Sequence, residues 1–292
     1  INNGSVKDTT EVLNFFTQDY VTADLGGAAV ALSGLEASVG ATLRYRLLED
    51  TTHRTDLLLQ LDTRRYILSD EAERIAPAAE ASDFALDSLN IGIDHRWRDQ
   101  TSPMEYQLGV LVGATRYGGD HYSDQARLSF GINRALDRRT QVNLALAADA
   151  TRGPRAPHAD GLRLGVNLQH RLDQGALLAA RLSLAQSRSD SESADYDDIR
   201  LDFIAEPTWD LMGAAPQFGL SLRARDYDSY ALFSPDGRRD REVTLYMTLS
   251  FAQAELYGFI PTMTLEASRT ESNIGLFDVN RYGLQMGFRS AF

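Results

Sequence analysis

The chain has 292 residues, 43% of them hydrophobic and 24% charged, with a net charge of −12 and no cysteine. That charge repels phosphate backbones and excludes nucleic acid as a partner; the lack of thiols excludes a disulfide framework, a thiolate metal site and a cysteine nucleophile. No apolar run approaches the ~20 residues of a membrane helix, which leaves crossing by strands, each about ten residues long with half of them polar.

The chain opens Ile1-Asn2-Asn3 without an initiator Met or an apolar leader, so an export signal is expected to have stood upstream. The stretch 12–25 is less regular. From residue 35 a period of two sets in: Leu35, Ala37, Val39, Leu43, Tyr45 and Leu47 alternate with Glu36, Ser38, Gly40, Thr42, Arg44 and Arg46, one face for hydrocarbon and one for water. Leu57, Leu59 and Leu61 then oppose Asp56, Gln60, Asp62 and Arg64, and Leu89, Ile91, Ile93 and Trp97 oppose Asn90, Gly92, Asp94 and Arg96. Residues 104–117 put Met104, Tyr106, Leu108, Val110 and Val112 outward. The pattern recurs at 122–135, 139–151, 158–172, 176–189, 196–207, 215–227, 241–252, 256–269 and 280–292. The last stretch places Tyr282, Leu284, Met286, Phe288 and Phe292 on one face, ending on an aromatic that serves as a terminal insertion signal.

These are thirteen strands, and a closed single-chain bacterial barrel takes an even number. The fourteenth is either 12–25 or a segment upstream of Ile1. Connections alternate in length: Glu49-Asp50-Thr51-Thr52, Leu136-Asp137-Arg138, Asp173-Gln174-Gly175 and Ala252-Gln253-Ala254 are tight, whereas 70–83, 118–121, 152–160, 189–195, 228–239 and 271–279 are longer and polar. The short-turn rim, where Phe292 ends, is assigned to the periplasm and the long loops to the cell exterior. A soluble β-sandwich also alternates, with its apolar face as a core. Small residues sharing the polar face with arginines suit a lumen instead. Tyr45, Tyr66, Trp97, Tyr106, Tyr117, Tyr122, Tyr227, Tyr257 and Tyr282, collected near strand ends, suit interfacial girdles. The fold expected is an all-β, antiparallel outer-membrane β-barrel of fourteen strands, one domain over residues 1–292.

Chemistry is sparse. His121 and His158 stand beside Asp120 and Asp160 on loops, and His95 and His170 fall outward near strand ends; the reading adopted is solvated or interfacial imidazoles, with no metal. No Gly-x-Ser-x-Gly elbow occurs, and no serine has nameable partners, so no catalytic residue and no cofactor are expected. Gly26-Gly27 and Gly118-Gly119 are turn signals, since neither carries the lysine of a phosphate loop. The lumen phase is charged: Arg44, Arg64, Arg96, Arg127, Arg163, Arg181, Arg200, Arg223, Arg225 and Arg289 face inward with Glu36, Asp56, Asp62, Asp94, Asp149, Asp202 and Glu266. Mixed signs favour cross-lumen pairing that stiffens the wall over an anion path.

The string Arg269-Thr-Glu-Ser-Asn-Ile-Gly-Leu-Phe-Asp278, followed by Arg281-Tyr-Gly-Leu-Gln-Met-Gly-Phe-Arg289, resembles the last hairpin of the surface lipoprotein assembly modifier family. Ile1-Asn2-Asn3-Gly4-Ser5, Arg116-Tyr-Gly-Gly-Asp-His-Tyr-Ser123 and Arg225-Asp-Tyr227 are similar too. The resemblance implies a fourteen-stranded barrel that helps lipoproteins reach the cell surface, preceded by periplasmic tetratricopeptide repeats, of which this sequence shows none. In that family the Asn-Asn-Gly-Ser string follows the first strand, which places the first strand here upstream of Ile1. The partners expected are outer-membrane lipid, a lipoprotein or secreted-protein client and, during insertion, the barrel-assembly machinery. The alternative is a porin-like channel for small solutes.

Overall fold

The computed structural model describes the backbone of residues 6–25, 28–75, 77–78, 80–99, 101–191, 195–227 and 237–290, and side chains from residue 37 onward apart from 71, 72, 75, 276 and 290. Fourteen strands form a closed antiparallel barrel in which each pairs with its neighbours in sequence. They are β1 (Val6–Leu25), β2 (Ala28–Glu49), β3 (His53–Leu68), β4 (Leu86–Arg98), β5 (Met104–Tyr117), β6 (Asp120–Ala135) and β7 (Thr140–Arg152). The second half comprises β8 (Ala159–Arg171), β9 (Leu177–Ser189), β10 (Tyr196–Glu206), β11 (Ala215–Tyr227), β12 (Arg238–Ser250), β13 (Phe259–Ser272) and β14 (Val279–Ser290). A short helix, α1 (Asp70–Ile75), sits between β3 and β4. Among the described residues no helix is long and apolar enough to cross a membrane.

Burial runs opposite to that of a water-soluble protein. Ile91, Ile93, Val110, Leu164 and Leu245 are exposed, while Asp56, Asp94, Asp202, Ser123 and Ser221 are buried. A strand turns alternate side chains to opposite faces. In a closed ring the leucine face therefore lies outside and the carboxylates inside. A β-sandwich would have hidden those leucines.

The start of β1 and the end of β14 lie on one rim, called here the terminal rim. It carries the β2–β3, β4–β5, β6–β7, β8–β9, β10–β11 and β12–β13 connections, and the opposite, loop rim carries the others. Three acidic turns on the terminal rim are built alike. Asp50 accepts hydrogen bonds from the backbone N–H groups of Thr52 and His53, both 2.7 Å. Asp99 accepts from Thr101 at 2.9 Å, and Asp137 from Arg139 and Thr140 at 2.7 and 2.8 Å. Aspartate supplies such turns because its short carboxylate reaches the amides two or three residues on.

Four expectations are revised. The fourteenth strand is β1, which is registered with β2 and β14 and follows the Asn-Asn-Gly-Ser string instead of preceding it, so the first strand inferred upstream of Ile1 is not the one that closes this ring. Turn length alternates less cleanly. Gly118 and Gly119, with φ of 59° and 84°, make a two-residue turn on the loop rim, as hairpins with φ > 0 at both central positions do. On the terminal rim the β10–β11 and β12–β13 connections extend over 207–214 and 251–258. In the second of these, Ala252-Gln253-Ala254 is only a 3-10 turn, and the chain reverses at Tyr257-Gly258. Finally, Tyr66 and Tyr227 are not girdle residues. Tyr66 packs edge-on against buried Phe84, and Tyr227 is buried among lumen arginines. The outward aromatic band runs instead through His95, Trp97, Tyr106 and Phe130, whose ring centroids are spaced 5.5–6.5 Å. Gly26-Gly27, the Glu36 side chain, most of the 228–239 loop and Phe292 lie outside the described residues.

Candidate functional site: the charged lumen wall and the seam

The inner wall is organised around carboxylates that each gather arginines. Asp56, fully buried, takes Arg46 Nε and Arg54 Nε at 2.7 Å each. Asp198 takes Arg223 Nε at 2.5 Å and Arg225 Nε at 2.9 Å. Asp94 bonds Arg96 at 3.1 Å and the Gln107 amide, Asp202 bonds Arg200 at 2.8 Å, and Asp149 bonds Arg127, with Arg163 at 3.9 Å. Arg64 and Asp62 pair loosely at 3.4 Å, both half-exposed. A carboxylate removed from bulk water persists as an ion only when charge and hydrogen bonds compensate it.

All of these pairs join residues of one strand or of neighbouring strands. The cross-lumen networks expected from mixed signs do not form among the described residues. The reason is geometric: an i, i+2 or in-register neighbour on the same face lies within side-chain reach, whereas the far wall of a fourteen-stranded ring does not. Arg181, in register with Asp202, and Arg289 are exposed to the lumen, as is Glu266, which faces Gly283. Arg44 also points inward, and its buried Nε has no hydrogen-bond partner.

Sequence reading missed Arg54, Asp198, Arg238 and Asp240. The signal was available in the period of two: Arg54 shares a face with Asp56, and Arg238 and Asp240 share one with Thr244, once each strand is extended toward its rim. At the loop rim Arg225 stacks 4.0 Å from the Tyr196 ring centroid, and Arg238 stands 4.6 Å from Tyr227 and 3.3 Å from Phe277. This column of alternating cations and rings carries the β13–β14 connection inward over the mouth. Asn273 reinforces it, accepting from Arg239 N at 2.7 Å and donating to Gly237 O at 2.9 Å.

A recess of about 380 Å³ opens on the inner wall, lined by Gln60, Asn90, Gln125, Arg127, Arg163 and Tyr196 among others. Among the described residues no group of three or more His, Cys, Asp or Glu side chains could hold a metal ion. His121 reaches Asp124 at 3.3 Å, not Asp120.

Among the described residues the ring closes through its shortest ladder. β1 and β14 share six registered pairs, from Glu11↔Phe288 to Thr17↔Gly283, with an irregularity between Phe15 and Thr17. The other neighbouring strands share ten or more, the fewest between β10 and β11. Past Thr17, β1 runs on to Leu25 paired with β2 alone, and β14 from Val279 to Tyr282 is paired with β13 alone. Among the described residues, the loop-rim half of the seam shows no registered pair between the two strand edges.

The family model for the surface lipoprotein assembly modifier matches residues 76–292. The chain belongs to that family. The family match covers both strings of the last hairpin, 269–278 and 281–289, and the Arg116–Ser123 and Arg225–Tyr227 strings, while Ile1–Ser5 lies outside it. Family membership and the inverted burial together make this an outer-membrane β-barrel. No curated protein matches the chain. Among solved structures it is similar to outer-membrane expressed OmpT of Vibrio cholerae, at 8% identity over 99% of this chain and 98% of that one, TM-score 0.49. It is also similar to an anion-selective porin from Comamonas acidovorans, at 12% identity over 99% and 100%, TM-score 0.46. A bacterial polysaccharide outer membrane secretin shows 10% identity over 97% and 98%, TM-score 0.46.

Proposed function

We propose that this barrel is a non-enzymatic translocation element that assists export or surface display of a lipoprotein client, with the β1–β14 seam as its route for the lipid anchor. The observation that carries this reading is the six-pair seam in a member of the surface lipoprotein assembly modifier family. An acyl anchor cannot cross a lumen walled by Asp56, Asp94, Asp198 and their arginines without losing about 0.8 kcal/mol per CH₂. Sliding between two strand edges keeps the chains in hydrocarbon while the polar polypeptide stays in the lumen. On this reading the loop rim faces the cell exterior and the terminal rim the periplasm, the barrel-assembly machinery inserts the chain through the Tyr282, Leu284, Met286, Phe288 and Phe292 strand, and outer-membrane lipid surrounds the leucine belt.

The test uses the absence of native cysteine. Leu13 and Met286 are registered partners across the seam, so Leu13→Cys with Met286→Cys introduces a single lockable pair. Oxidation is expected to abolish surface display of the client, and a reductant to restore it. Display that continues at full level with the seam locked rules out the lateral route.

A second reading, a channel for small solutes, is favoured by one feature: Arg127, Arg163, Arg181 and Arg200 leave exposed guanidinium groups along the β6–β10 side of the lumen. Single-channel recording separates the two. A porin gives steady, anion-preferring conductance that falls when Arg163 and Arg181 become glutamine; a translocation barrel at rest does not.

A further inference from the structure

The outer surface of β8–β13 breaks from apolar to charged along a registered line. Toward the loop rim Arg239, Asp226 and Asp197 lie side by side across β12, β11 and β10. The next outward row is Arg241, Ala224 and Ile199, and the one after is Val243, Leu222 and Leu201. Arg239 and Arg241 are both exposed, and neither guanidinium closes an ion pair among the described residues, although Asp226 and Glu271 stand opposite them in register. Of the other outward arginines, Arg188, Arg152 and Arg65 are each held by an aspartate at 2.6–3.0 Å, while Arg116 and Arg134 likewise close no ion pair among the described residues.

Two hollows meet at this line. A cleft of about 460 Å³ is lined by Asp226, Arg239, Arg241 and Glu271. A groove of about 440 Å³ is floored by Leu162, Leu164, Leu184 and Ile199 and shares Ala224 and Asp226 with the cleft. Nearer the terminal rim a second apolar groove, about 450 Å³, lies where Ala180 and Ala205 indent the wall between Leu178, Phe203 and Phe218. From Ile199 to Ala205 the two grooves, which share no lining residue and are together called the furrow here, lie along about 20 Å of strand at ~3.3 Å per residue, on the scale of an acyl chain.

We propose that this sector is a binding site for an acylated lipid bearing phosphate, its headgroup on Arg239 and Arg241 and its chains in the furrow below. Guanidinium matches phosphate in geometry and charge, and a surface facing hydrocarbon on one side and headgroups on the other meets such amphiphiles by position. Asp226 and Glu271 line the cleft, and Asp197 beside it is held by Arg188 at 3.2 Å, so the phosphate enters with a divalent cation between it and the two cleft carboxylates. Charge selects this occupant over the uncharged diacylglyceryl anchor of a lipoprotein, which offers nothing to two unpaired arginines.

The experiment titrates the full chain in detergent, with Mg²⁺ present, against a bis-phosphorylated acyl glycolipid, its dephosphorylated form, inorganic phosphate and a triacylated lipopeptide. Binding is read by native mass spectrometry. Arg239→Gln with Arg241→Gln is expected to weaken the phosphorylated glycolipid about tenfold and to leave the dephosphorylated form unaffected. Arg134→Gln, an exposed arginine near the opposite rim, serves as the control and is expected to change nothing. Heat-modifiable migration on gels verifies that each variant is folded. Undiminished glycolipid affinity in the double variant overturns the proposal. So does inorganic phosphate competing as well as the lipid, or a lipopeptide that binds wild type more tightly than the glycolipid does, which would assign the furrow to client anchors.

Discussion

Asp56 shows what the lumen asks of a single residue. Its carboxylate is the most completely buried large side chain described, and Arg46 and Arg54 meet it on two sides. Asp56→Asn leaves two cations facing a neutral amide, and the folded barrel is expected to lose about 2–4 kcal/mol. Asp62→Asn, at a half-exposed pair, is expected to cost less than about 1 kcal/mol. Urea titrations of the refolded protein in lipid compare the two, and equal losses would refute the role given to burial. The turn aspartates set a pH dependence. Backbone N–H groups hold the carboxyls of Asp50, Asp99 and Asp137 below the usual range, led by Thr52, Thr101 and Arg139 respectively. A carboxyl depressed in the folded state stabilises above its unfolded value, about 3.9, and that contribution vanishes as pH falls through the lower folded value. Carboxyl titrations by NMR are therefore expected to show midpoints under 3.9; midpoints at or above it would contradict these turns. Asp56 and Asp62 were legible in sequence because alternation assigns a face. That Asp56 is sealed and Asp62 is not depends on Arg46, which reaches it from the neighbouring strand.

At the scale of the strand, two faces impose opposite rules on adjacent positions. Leu182 points to lipid and Ser183 to the lumen in the middle of β9. Leu182→Arg is expected to destabilise by about 2–4 kcal/mol near the bilayer midplane, and Ser183→Arg by much less, since water reaches the inner wall; similar costs in liposome unfolding would argue against a membrane-facing Leu182. Close packing also constrains the inner face. Gly219 lies opposite Tyr246 in register, and a Cβ there would run into the Tyr246 ring. Gly219→Ala is expected to cost about 1–3 kcal/mol, with the Tyr246 side chain displaced in its NMR or fluorescence signature. The period of two located thirteen strands from residue 35 onward within a few residues of their observed positions, apart from β2, which begins seven residues earlier at Ala28, because one face of each had to be uniformly apolar. It left β1 as one of two candidates for the fourteenth strand, because its alternation is broken by Asn14, Phe15 and Phe16, near the irregularity in its pairing.

For the molecule as a whole, closure is the governing fact. An open sheet would present bare strand edges to hydrocarbon, which a membrane does not tolerate, so β1 and β14 must meet. They do so over six registered pairs among the described residues. On the proposed lateral route this short ladder makes the seam the place where the ring opens, and the disulfide lock tests it.

The amino-acid sequence by itself determined which residues face lipid and which face water, because a strand offers each side chain only two directions and the bilayer punishes the wrong one. It determined the family as well, through strings on the last hairpin. Tertiary structure decided the rest: that Val6–Leu25 closes the ring, that charges pair along the wall instead of across it, and that Arg239 and Arg241 close no ion pair among the described residues. Those outcomes depend on register and distance between strands, quantities that no single strand's pattern contains.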